Sequence, residues 1–294
     1  MALPAELTDL IKKSIPSDHR SEVYIQSCIP LGGGDINQAY RINTTAGPYF
    51  VKINSASSYP GMFEKEAAGL HLIASTGEIR VPSVIFHGQA GDDICLVLEY
   101  IHSAPRKASF WSNFGRSLAR MHRHSSEYFG LDHDNYMGAI PQSNRRHQTW
   151  NEFFILERLE PMVRMARNDG FLIRDDISAF ERLYKKLPDI FPVEPPALIH
   201  GDLWTGNHMV DKDGNACLID PAVYYGHREM DIAMSRLFGS FAEEFYEVYH
   251  SEYPLEKGWR ERVEVCNLYP LLVHVNLFGE GYLGSVERTI LKFK

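Results

Sequence analysis

Between residues 22 and 100 the apolar positions fall in short runs broken by turn residues, a spacing that predicts strands. Residues 22–31 read as a strand running into Gly32-Gly33-Gly34. Two strands follow at 38–43 and 49–53, with 44–48 as the turn of a hairpin. The alternation then gives way to a helix over 61–75, where Met62, Phe63, Ala67, Leu70, Ile73 and Ala74 recur at helical spacing. Strands return at 83–87 and 94–100, separated by the polar turn 88–93. Ahead of them, residues 4–15 suit a short amphipathic helix stopped by Pro16. The order of the main elements is β-β-β-α-β-β.

Beyond Ile101 the texture changes. Segments 110–125, 151–168 and 175–187 have helical periodicity, and 227–250 and 258–294 look helical as well. One strand pair, around 197–220, interrupts them. The pattern predicts an α+β protein of two lobes, a small antiparallel-sheet lobe over 1–101 and a larger, mainly helical lobe over 102–294. The hinge falls near residues 99–103.

Composition removes several classes of function. Thirty basic against 38 acidic residues leave a formal charge of −8, which argues against a nucleic-acid-binding surface. No apolar run is long enough to predict a membrane span, and the first residues lack the pattern of a secretory signal. Cys28, Cys95, Cys217 and Cys266 are too widely spaced for a zinc site, and neither C-x-x-C nor H-E-x-x-H occurs. Reduced thiols in a cytoplasmic protein are expected.

The chemistry concentrates in Leu198-Ile-His-Gly-Asp-Leu-Trp-Thr-Gly-Asn207 and the stretch that ends in Ile219-Asp220-Pro221. Asn207 opens a short strand, 211–214 supply a turn, and 215–220 return, so the hairpin is expected to bring Asp220 back level with Asn207. Asp202 lies five residues before Asn207. Oxygen donors of this kind suit magnesium, which is held by one or two carboxylates together with substrate phosphates. Asn207 and Asp220 are the expected metal ligands, and Asp202 the acceptor of a proton from an attacking hydroxyl. This is the phosphoryl-transfer spacing of the kinase-like fold.

The remaining machinery is expected upstream. Gly32, Gly33 and Gly34 lie between two strands, where backbone amides can approach phosphates. The loop matches neither G-x-x-x-x-G-K-[ST] nor an intact G-x-G-x-x-G. Lys52, in Phe50-Val51-Lys52-Ile53, is placed to grip phosphate oxygens if an acidic partner holds it. Glu66 shares a helix face with Phe63, Leu70 and Ile73, whereas Glu64 falls on another, so Glu66 is the expected partner. Glu99, Tyr100 and Ile101 end the sheet lobe and supply the connector on which adenine would rest.

With these residues in view, the chain resembles the fructosamine kinase (ketosamine 3-kinase) family, in the aminoglycoside-phosphotransferase-like branch of the protein-kinase-like fold. The resemblance runs through Gly-Gly-Gly-Asp-Ile-Asn37, Phe50-Val-Lys52, Phe63-Glu-Lys-Glu66-Ala, Leu96-Val-Leu-Glu-Tyr100, Phe129-Gly-Leu-Asp-His-Asp-Asn-Tyr136, Trp150-Asn-Glu-Phe-Phe154, His200-Gly-Asp-Leu-Trp-Thr-Gly-Asn207, Ile219-Asp-Pro-Ala-Val-Tyr-Tyr-Gly-His-Arg-Glu229 and Asp231-Ile-Ala-Met234. It implies a kinase that uses ATP and magnesium on the 3-hydroxyl of ketoamines, the adducts of sugars with free amines or protein lysines. The phosphorylated adduct falls apart, so the amine is freed. A preference for ribulosamines or erythrulosamines over fructosamines is expected. Where some relatives carry a loop cysteine able to form an intersubunit disulfide, this chain has Asp35, which puts redox control in doubt. Asp220-Pro221-Ala222 replaces D-F-G and no A-P-E follows, against a protein-kinase activation loop.

Weaker candidates complete the set. Trp204 packs either on the substrate sugar or within its own loop. His227, with Arg228 and Glu229, either lines the acceptor pocket or forms a solvated helix start. Asp231 either braces the catalytic loop or caps a helix. His122, Arg123 and His124 read as favourable charge at a helix C-terminus. Partners are ATP and a glycated amine, without nucleic acid or membrane, and a monomer is expected with a dimer left open. Two other functions stay in view: an aminoglycoside- or choline-type phosphotransferase, and a non-catalytic nucleotide-binding scaffold.

Overall fold

The five strands of the first half form one antiparallel sheet whose neighbours run β1-β2-β3-β5-β4, where β1 is Ile25–Leu31, β2 Gln38–Thr44, β3 Gly47–Ser55, β4 Val84–Ala90 and β5 Asp93–Glu99. The structure is a computed structural model that describes residues 3–16, 22–32 and 36–294. In β3, Lys52 stands opposite Ala39 on β2 and Leu96 on β5. Because side chains alternate across a sheet, Val51 and Ile53 face one side and Lys52 the other. Helix α1 (Ala5–Ser14) covers the Val51 side, where Leu7 and Ile11 pack with Tyr40, Ile42, Val51, Ile53, Cys95 and Val97. Helix α2 (Met62–Thr76) packs on β4 and β5 through a face that includes the buried Phe63, Ala67, Leu70 and Ile73.

Packing divides the chain into two compact units, Met1–Lys107 with Met209–Asp220, and Ala108–His208 with Pro221–Lys294. Sequence periodicity placed the boundary near Ile101 and the 209–220 segment in the second lobe. The segment sides with the first unit because its main chain is tied there. Leu218 N–H donates to the Arg80 carbonyl at 2.8 Å, Ala104 N–H donates to the Val210 carbonyl at 3.4 Å, and the Arg80 guanidinium bonds Asp211 at 3.0 Å. Pairings over such sequence distances leave no trace in local periodicity.

The second unit is mainly helical, around a core that includes Phe153, Phe154, Leu159, Phe180, Leu183, Ile199, Tyr224 and Leu272. Its first helix spans Phe110–Met121 and the longest Arg174–Ile190. Several expected elements differ from those observed. The helix expected at 151–168 contains a π-helical segment, Phe154–Leu159, where fully buried Arg158 stacks on Tyr224 at 4.0 Å. The region 227–250 is two helices, Glu229–Met234 and Glu243–Glu252. The region 258–294 begins with Trp259–Cys266, Leu268–Phe278 and Leu283–Ile290 in succession. Residues 197–220 hold parts of two sheets: Ala197–Ile199 pairs with Tyr224–Gly226, and His208–Val210 with Ala216–Leu218. A small hairpin of Asn135–Met137 and Ile140–Gln142, three residues a strand, is too short to show alternation and was not expected. Among the described residues no helix is long and apolar enough to cross a membrane, and the four cysteines are free thiols.

Candidate active site

In the first unit, Lys52 is held from two sides. Its Nζ donates to Glu66 Oε1 at 2.7 Å and to Asp220 Oδ1 at 2.8 Å. The lysine side chain is 6% exposed and Glu66 12%, while Asp220 remains 44% exposed. Burial by itself would lower the lysine pKa, but the Asp220 and Glu66 carboxylates outweigh it and hold the ammonium well above its ordinary value. The ammonium form is thereby favoured, and two hydrogen bonds fix its place. The local causes are strand alternation, which turns Lys52 away from the α1 core, and the helix face expected for Glu66, one turn from Phe63 and Leu70 on α2, while Glu64 is exposed.

Asp220 closes the hairpin in a left-handed conformation, φ +56°, and is the non-glycine residue with positive φ among the described residues. Aspartate tolerates that region better than most side chains, and backbone strain of this kind gathers at functional positions. Gly32 is described and has open space where a Cβ would stand, whereas Gly33, Gly34 and Asp35 lie outside the described residues. At the connector, the Glu99 carboxylate is committed to the Arg80 guanidinium and the Ser83 N–H. Tyr100 carries the Arg41 guanidinium 4.6 Å above its ring, and Ile101 is buried.

In the second unit, Asn207 organises the 200–207 loop. Its Nδ2 donates to both the backbone carbonyl and the Oδ2 of Asp202, each at 2.8 Å. The amide nitrogen is thereby spent on positioning Asp202, which leaves Oδ1 of Asn207 as an oxygen donor. Gly201 sits at φ +82°, and a Cβ there would stand 2.1 Å from the Ala222 carbonyl oxygen. Only glycine fits, since both conformation and space exclude a side chain.

Asp231 supports this loop from below. Oδ2 accepts the His200 N–H at 2.7 Å and Oδ1 the Gly201 N–H at 2.9 Å. It lies inside the helix Glu229–Met234, so capping is not its role. His122 completes the support: Nε2 is 3.1 Å from Asp231 Oδ2 and Nδ1 is 2.8 Å from the Tyr249 hydroxyl. His122 stands at the C-terminal cap of its helix, where the sequence placed it, and its ring is buried there. A signal existed: His122 continues the four-residue spacing of Phe114 and Leu118, the buried face of its helix.

His227 is also corrected. It is fully buried between Phe191 and Trp150, with ring centroids at 5.1 and 5.8 Å. It thus has no surface to offer a substrate. Nor is the cluster solvated, because Arg228 pairs with Glu194 at 2.7 Å and Glu229 with Arg262 at 2.6 Å. Burial lowers the His227 pKa against the pull of Glu229 and Glu194. Trp204 is half-buried beside the second unit's core and edge-on to Phe238 at 6.0 Å.

The fold is that of the protein-kinase-like phosphotransferases. A mutant aminoglycoside phosphotransferase crystallised with AMP-PNP and hygromycin B superimposes with a TM-score of 0.63 over 98% of both chains at 14% identity, a likeness of fold alone. The chain belongs to the fructosamine kinase family, whose pattern it matches over residues 7–294. A crystal structure of a Haemophilus somnus protein assigned as a fructosamine-3-kinase gives a TM-score of 0.87 at 30% identity, covering 98% of this chain and 96% of that one. A probable ketoamine kinase of Enterococcus faecium is 38% identical over 90% of this chain and 94% of its own length. The chloroplastic protein-ribulosamine 3-kinase of Arabidopsis thaliana is 35% identical over 99% of this chain and 89% of its own length.

Proposed function

We propose that the protein is an ATP-dependent ketoamine kinase that phosphorylates the 3-hydroxyl of ribulosamine, erythrulosamine or fructosamine adducts of amines, including protein lysines. The phosphorylated adduct then decomposes and frees the amine. The observation that carries the reading is the buried Lys52 ammonium clamped by Glu66 and Asp220, a fixed positive charge suited to phosphate oxygens. Lys52 binds the α- and β-phosphates, and the backbone of Glu99, Tyr100 and Ile101 receives the adenine. Asp202 orients the sugar hydroxyl and takes its proton as O3 attacks the γ-phosphorus in line. The bond from the γ-phosphorus to the bridging oxygen breaks, and ADP leaves.

The donor set fits magnesium, since Asn207 Oδ1 is a neutral oxygen and Asp220 an anionic one with exposed surface. These two residues would hold the ion, which when bound offsets negative charge on phosphate oxygens. Asn207→Ala and Asp220→Ala are each expected to raise the magnesium concentration for half-maximal rate by about tenfold or more, in addition to slowing turnover. An unchanged magnesium titration removes the residue from the ligand set.

The substrate assignment is tested by coupled ADP release with magnesium-ATP against ribulosyl-lysine, erythrulosyl-lysine, fructosyl-lysine and an aminoglycoside panel. Turnover of a ketoamine is expected, the ribulosyl and erythrulosyl compounds ahead of the fructosyl one. Silence on every ketoamine with a signal on an antibiotic would reverse the assignment. ATP binding without consumption on any acceptor would make the protein a nucleotide-binding scaffold.

A further inference from the structure

Two residues beyond Asp202, Trp204 begins a half-buried aromatic group that phosphoryl transfer does not use. Phe238 lies edge-on to Trp204, and the His274 ring is 4.7 Å from Phe238 and 4.9 Å from Tyr282. Phe278, 5.6 Å from His274, is 49% exposed. The group is tied to the catalytic loop, because the Thr205 hydroxyl donates to the Phe238 carbonyl at 2.9 Å.

His274 has a defined chemical state within this wall. Its Nδ1 lies 2.7 Å from the Pro270 carbonyl oxygen. A carbonyl can only accept, so Nδ1 carries the hydrogen. Burial lowers the His274 pKa, favouring the neutral ring. In that tautomer Nε2 presents a lone pair, an acceptor set among aromatic faces.

The proposed acceptor carries a secondary amine on C1, protonated at neutral pH, and only C1, C2 and C3 separate its nitrogen from the reacting oxygen. With O3 at Asp202, the nitrogen must lie within a side chain's length of that carboxylate. Aromatic faces attract alkylammonium ions, and a neutral imidazole nitrogen accepts their N–H. The geometry points to Trp204, Phe238, His274, Phe278 and Tyr282 as the subsite that selects the ketoamine nitrogen, with His274 Nε2 accepting its N–H. This separates an amine-linked ketose from a ketose or ether of the same shape. The inference rests on the ketoamine reading above.

The test compares kcat/KM for a ketoamine of a simple alkylamine with that for the ether analogue, in which oxygen replaces the ammonium. Wild type is expected to favour the ketoamine by about 30-fold or more. His274→Phe keeps the aromatic volume and loses the acceptor, and the preference should fall about tenfold. Tyr282→Leu, at the half-buried rim where folding is less at stake, should lower it about threefold. A structural role would shift both substrates alike and leave the ratio unmoved. Equal use of both compounds by wild type, or a ratio within twofold of wild type in both variants, would overturn the subsite and leave the kinase reading standing. Failure of wild type to phosphorylate either compound would overturn both.

Discussion

Asp202→Asn is expected to lower kcat by about 10² to 10⁴, the usual cost of losing a general base, with the ATP dissociation constant changed by less than about threefold. The substitution is close to isosteric. The new side-chain carbonyl can accept the Asn207 amide as Oδ2 now does, so the loop keeps its hydrogen bond and loses only the proton-accepting carboxylate. Steady-state ADP release with a saturating ketoamine measures the first quantity, and titration calorimetry with nucleotide the second. Turnover within tenfold of wild type would remove Asp202 as the base. A large loss of nucleotide affinity would instead mean that the carboxylate acts in binding.

Asp231→Ala is expected to cost about 3–5 kcal/mol of stability and to slow turnover beyond the loss of folded protein. Asp231 is 1% exposed and receives two backbone N–H groups on separate oxygens, with His122 against one of them. Alanine leaves His200 N–H and Gly201 N–H buried without their acceptor, a cost of about 1–3 kcal/mol for each group. Water in the vacated space would recover part of it. Because Asp202 follows Gly201 directly, relaxation of these amides moves the proposed base. Denaturant unfolding checks the stability, and kcat measured well below the transition checks the positioning. Asp231→Asn discriminates further, since its amide retains one acceptor oxygen and turns a donor towards a backbone N–H. A stability within 1 kcal/mol of wild type together with an unchanged kcat would make the contacts incidental.

Legibility from sequence varied with the distance over which each feature is determined. Glu66 was chosen over Glu64 as the partner of Lys52 from a helix period of 3.6, and the two lie in one ion pair. Asp202 and Asn207 were read from a five-residue spacing within one loop, and a hydrogen bond joins them. His227, Arg228 and Glu229 were misread as polar surface or pocket. Arg228 meets Glu194 across 34 residues and Glu229 meets Arg262 across 33, so the charges that permit burial belong to other elements. A charged triplet with unseen partners is indistinguishable from a solvated one.

Periodicity, turn residues and short spacings therefore determined the α+β class and the order of its main elements, and they singled out the residues proposed to perform phosphoryl transfer. Each depends on geometry within a few residues of backbone, which local stereochemistry dictates. Tertiary structure decided that the 209–220 hairpin packs with the first unit, that Asp231 braces the 200–207 loop rather than capping a helix, with His122 against it, and that His227 is buried. Those outcomes depend on which distant groups satisfy buried hydrogen bonds and charges, and that balance is struck only when the whole chain packs.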